Sequence, residues 1–85
     1  MVVNVVGWPC TKIERTLANV HAAAADASPK PKVTWINDIH MIAGMGSMFI
    51  PAVLVNGKLK LSGRIPSVHE VTTWIEEEQR KELAA

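Results

Sequence analysis

Cys10 is the one cysteine in 85 residues, and it stands in the run Gly7-Trp8-Pro9-Cys10-Thr11-Lys12-Ile13. A thiol attacks disulfide sulfurs and binds soft metals as its thiolate. The neighbours of Cys10 favour that form. Thr11 and Glu14 have the spacing of a capping box, so a helix starts beside the thiol. The unpaired N–H groups and the dipole of a helix start stabilise negative charge. Lys12 adds a positive charge, and Trp8 with Pro9 forms an apolar rim. One such thiol can attack a disulfide or a glutathione mixed disulfide, and an external thiol must then complete the turnover. The competing reading is a small buried hydrophobe, a frequent fate of free cysteine. A loop position between a strand and a helix start favours the accessible thiol.

Other side chains offer less. His21, His40 and His69 share no spacing with a second ligand, so no metal site is defined and each reads as structural or surface. A nucleophile and base pair of Cys10 with a histidine needs a proximity that spacing does not supply. Met41, Met45 and Met48 follow one another at i, i+4 and i+7, and with His40 and the Cys10 thiolate they offer soft ligands for Cu(I). The ordinary use of such methionines is to fill gaps in a core. Trp35 and Trp74 read as core or core margin, whereas Trp8 beside the thiol reads as a recognition residue.

The elements that must position these groups follow from patterning. Val2 to Val6 is β-branched and ends at Gly7, a short strand buried on both faces. Ile13, Leu17, Val20 and Ala24 form one stripe of a helix from Thr11 to about Asp26. Ser28-Pro29-Lys30-Pro31 breaks it, and Lys32 to Ile36 alternates into a second strand. Asn37 or Asp38 caps a short helix through Met45, ended by Gly44 and Gly46. Asn56-Gly57 between Ile50–Val55 and Lys58–Leu61 is the favoured two-residue hairpin turn. Ser67 and Glu70 open a last helix with Val68, Val71, Trp74 and Ile75 on its apolar face. Past Glu78 that helix is polar and expected to fray. The order β-α-β-α-β-β-α implies an α/β fold, one four-stranded mixed sheet flanked by helices.

Length and composition narrow the functions. Residues 1–85 have room for one small domain. Nine Lys and Arg against eight Asp and Glu give a net charge of +1, too weak a field to hold nucleic acid or an anionic membrane. Glu76-Glu77-Glu78, answered by Arg80 and Lys81, reads as a solvated helix end. A single cysteine excludes an internal disulfide framework and favours a reducing compartment. With no basic leader and no long apolar run, a cytoplasmic protein is the expectation.

The element order, a cysteine after the first strand and a proline opening the third strand resemble the thioredoxin fold. More narrowly, Gly7-Trp8-Pro9-Cys10-Thr11-Lys12-Ile13, Ile50-Pro51-Ala52-Val53-Leu54-Val55-Asn56-Gly57 and Ser62-Gly63-Arg64-Ile65-Pro66-Ser67 resemble the small, glutaredoxin-sized redox-active-disulfide proteins. The resemblance covers nearly the whole chain and implies a single thioredoxin-like domain. It also implies that Cys10 is the first cysteine of a Cys-x-x-Cys motif whose second place holds Ile13, so an internal dithiol cycle is excluded. A second register, with Gly7 and Cys10 as the motif's ends, makes Cys10 the resolving cysteine. By the same resemblance Pro51 is a cis-proline facing the thiol, and the Ile50 backbone pairs with an extended substrate. Cys10 is then the catalytic residue, with Trp8, Pro9, Ile50 and Pro51 binding substrate and no metal or resident cofactor. Its partners are a protein disulfide, a peptide or a glutathione-type thiol. The alternatives are a non-catalytic module docking a peptide or protein on Trp8, Met48 and Phe49, and a Cu(I) carrier.

Overall fold

A computed structural model describes residues 1–46 and 49–84 of the chain. Along it run β1 (Val2–Val6), α1 (Thr11–Ala25), β2 (Lys32–Ile36), α2 (Ile39–Gly44), β3 (Ala52–Val55), β4 (Lys58–Ser62) and α3 (Val68–Ala84). The strands form one sheet in the order β2-β1-β3-β4. β1 and β2 are parallel, while β1/β3 and β3/β4 are antiparallel. This is the small α/β thioredoxin-like fold with its mixed sheet, as patterning and resemblance together predict.

The core lies mostly on one face. Val3 and Val5 of β1 and Val53 and Val55 of β3 meet Ile13, Val20 and Ala23 of α1 and Val71 and Ile75 of α3, all closed off from water. Burying a valine or isoleucine side chain stabilises by roughly 1.5–3 kcal/mol before chain entropy is subtracted. Among the described residues the cluster on the opposite face is Val6, Ile36 and Ala52, against which Ile42 and Met45 pack from the α2 segment. β1 is therefore not buried along both faces as expected, since Val2 is exposed and Asn4 half-buried. α2 has six residues, too few to cover the far end of the sheet.

Caps and turns follow local chemistry with one exception. Asp38 accepts from the backbone N–H of His40 at 2.8 Å and of Met41 at 3.4 Å, the expected cap of α2. Ser67 and Glu70 exchange reciprocal bonds of 3.1 Å, a complete capping box. Asn56 and Gly57 have φ of 56° and 81°, the paired positive values that a tight hairpin turn requires. The exception is α1. Its N-cap is Cys10, whose carbonyl accepts from Glu14 N–H, so Thr11 already lies inside the helix and the predicted Thr11/Glu14 box does not form.

The acidic run also departs from expectation. Glu78 is 1% exposed, and its carboxylate accepts from Lys60 at 3.0 Å, Lys58 at 3.1 Å and Lys81 at 3.2 Å. The Lys60 bond first, then those of Lys58 and Lys81, holds Glu78 down at about 2 against the desolvation that opposes ionisation. The knot fastens the β3–β4 hairpin to α3, and Asn56 donates to Glu82 one helical turn further on. With these ties α3 continues to Ala84 instead of fraying after Glu78.

Candidate functional site

Cys10 is exposed and unbonded to another cysteine. Its backbone is extended, with φ −165° and ψ 170°, and its side chain makes no capping bond to α1. The thiol thus stands at the start of a 15-residue helix without being consumed as a cap. Trp8 is 39% exposed, and Pro9 is exposed beside it, so the expected rim flanks the thiol in sequence and faces solvent.

Ile13, three residues on, is 1% exposed and belongs to the main core cluster. Its place explains Gly7. A Cβ on Gly7 would lie 2.8 Å from Ile13 Cγ1, inside any real contact, and 3.6 Å from Ile50 Cβ. Gly7 is therefore the point at which the start of α1 and the segment before β3 meet. The bond between Ile50 and Pro51 is cis, Pro51 is buried, and Ile50 is half-buried against the smaller cluster. The Pro51 carbonyl accepts from Gly63 N–H at 2.9 Å, which braces this segment from the far end of β4. Gly63 has φ +95°, and a Cβ there would lie 3.3 Å from Phe49 Cβ. Phe49 stands 77% exposed against it.

The remaining candidates are scattered. His21, His40 and His69 are exposed on α1, α2 and α3 respectively. Met41 is 54% exposed, Met45 packs on the smaller cluster, and Met48 lies outside the described residues. Among the described residues no group of three His, Cys, Asp or Glu side chains could hold a metal ion. Nor is any helix among them long and apolar enough to cross a membrane.

The chain matches the thioredoxin domain family over residues 1–76. It belongs to that family. No curated protein matches it. Within this thioredoxin domain the first loop ends in one thiol, exposed at a helix start, and a buried isoleucine stands three residues later in α1. Such an arrangement can form and release a disulfide with a second molecule, whereas an internal disulfide is chemically closed to it.

Two groups near the loop escaped the sequence reading. Trp35 is 38% exposed and outside both core clusters, not in the core or at its margin as expected, and its indole N–H donates to the Gly7 carbonyl at 3.0 Å. Gly63 braces Pro51 and lies against Phe49, a role that its place in the resembling segment Ser62–Ser67 did not indicate.

Proposed function

We propose that this thioredoxin domain exchanges disulfides through Cys10 alone. The Cys10 thiolate attacks one sulfur of a substrate disulfide R–S–S–R′, forming Cys10–S–S–R and expelling R′–S⁻, which takes up a proton. An external thiolate such as glutathione then attacks the R sulfur, releases the mixed R–glutathione disulfide and restores the Cys10 thiolate. Each step makes one S–S bond and breaks one, so no separate oxidant is required. Trp8 and Pro9 line the approach, and Ile50 beside Pro51 offers backbone to an extended partner. A reducing cytoplasm would supply the second thiol. The observation that carries this reading is the exposed Cys10 at the N-cap of α1, its side chain free of any capping bond.

Iodoacetamide labelling at pH 6 tests it. Cys10 is expected to react several-fold faster than free cysteine and to form a mixed disulfide with oxidised glutathione that reduced glutathione removes. A rate equal to that of the free thiol removes the catalytic reading. In Ile13→Cys, diamide is expected to consume both thiols in an internal disulfide, since the two residues sit at i and i+3 of a helix start. Persistence of both thiols would show that the Cys-x-x-Cys register is wrong.

A second reading has its own observation. Trp8 in the loop and Phe49 ahead of Pro51 are exposed aromatics, as a docking module for a peptide or protein would present. It is favoured if Cys10 proves unreactive and Cys10→Ser retains partner binding.

A further inference from the structure

We infer that Trp35 is a positioning residue for the Cys10 loop, its indole N–H fixing the direction in which the chain leaves β1 toward the thiol. The inference rests on the exchange role proposed for Cys10. β2 reaches Gly7 twice. The Gly7 N–H donates to the Ile36 carbonyl at 3.1 Å, which merely prolongs the parallel ladder beyond Val6↔Ile36. The second bond is of another kind. Trp35 is in register with Val5, and its side chain extends past the end of the ladder to donate to the Gly7 carbonyl at 3.0 Å.

That carbonyl needs an outside tether. Gly7 has no side chain to restrict its peptide plane, because a Cβ would run into Ile13. Only Trp8 and Pro9 separate it from Cys10, and the proline ring sets one of the intervening torsions. At the other end the Cys10 carbonyl is committed to Glu14 N–H at 3.0 Å, the first bond of α1. With both ends tied, the torsions of Trp8, one of Pro9 and φ and χ1 of Cys10 are what remain to aim the thiol. Loss of the Trp35 bond frees one end, and the loop spreads over orientations of which only some present Sγ to a disulfide.

Trp35→Phe keeps an aromatic ring and removes the donor. A neutral hydrogen bond of ordinary net worth changes a population by roughly two- to tenfold, so alkylation of Cys10 and its exchange with oxidised glutathione are expected to slow by that factor. The pH profile of the reaction should shift with them while the urea midpoint moves little. Trp74→Phe, which alters an indole packed on the main core cluster, should leave the Cys10 rate unchanged. An unchanged rate and pH profile in Trp35→Phe overturns the inference even if Cys10 is fast in the unaltered protein. If Cys10 is no faster than free cysteine yet slows further in Trp35→Phe, the exchange role falls and the positioning role stands. Should Trp35→Phe fail to fold, the unaltered protein answers. Its Trp35 Nε1–H resonance is expected to shift when Cys10 is converted to the glutathione mixed disulfide, and a resonance that stays in place counts against the coupling.

Discussion

Among the described residues the core cluster on the α1/α3 face of the sheet holds nine buried Val, Ile and Ala residues, and that on the α2 face three. The two faces also differ in what they leave open. Ile39, Met41 and Phe49, 61%, 54% and 77% exposed, cluster in sequence on the α2 segment and the approach to Pro51, whereas α1 and α3 turn their large apolar residues inward apart from Val68 and Leu83. The segments that carry the candidate chemistry meet at Gly7, where the thick face ends in Ile13 and the thin one in Ile50. Stability is concentrated on one side, which lets the other keep apolar groups in water. Local openings are expected to follow the same division, since segments with few buried contacts open at the lowest free energy.

The largest expected effect breaks the thick face. Ile75→Ala removes a fully buried side chain from the main cluster and should cost about 2–5 kcal/mol in urea denaturation, a large share of the total for so short a domain. Ile42→Ala, at a half-buried position on α2, should cost about 1 kcal/mol. Equal losses would mean that the sheet's two faces share the load and that the contrast is one of shape alone.

Much of this was legible. Val2–Val6, the stripe Ile13, Leu17, Val20 and Ala24, the Asn56-Gly57 turn and the Ser67/Glu70 box are local signals, and local geometry decides them. The mixed sheet then follows from the order of elements. Cys10 and its exposure were readable because a strand, a breaker and a helix start bracket it. What stayed hidden depends on contacts distant in sequence. Glu78 belongs to an acidic run that looks solvated, and only the return of β4 places Lys58 and Lys60 over it. Trp35 lies 28 residues from Gly7, so no periodicity could announce their bond. The Thr11/Glu14 box failed for a subtler reason: Cys10, extended after Pro9, had already taken the capping position.

Acid separates the buried carboxylate of α3 from an exposed one. Glu78 is held at about 2 in the folded protein, below its ordinary 4.5, so its contribution is fully present above pH 4.5 and is lost as pH falls from there through about 2. Glu70, held at about 2 by the Arg64 guanidinium and then by Ser67 N–H, contributes in the same window from an exposed pair. Urea midpoints should therefore decline between pH 4.5 and 2, and Glu78→Gln should flatten the decline. Molar salt screens exposed pairs far more than buried ones, so it should suppress the part that Glu70→Gln removes and spare the part due to Glu78. A decline abolished by salt in the unaltered protein would place the whole effect at the surface.

The smallest effect concerns the thin face. Ile39 is the first residue of α2, 61% exposed, and Asp38 caps the helix without it. Ile39→Ser should change stability by no more than about 0.5 kcal/mol, the usual range for a surface position that serves no cap, core or network. A cost well above that would mean that Ile39 shields the cluster of Val6, Ile36 and Ala52 from water, and that the α2 face is more complete than its three buried residues suggest. With stability unchanged, the same variant isolates what an exposed isoleucine of the α2 face contributes to exchange. If exchange with an apolar disulfide slows while exchange with oxidised glutathione does not, Ile39 serves contact with partners and not the fold.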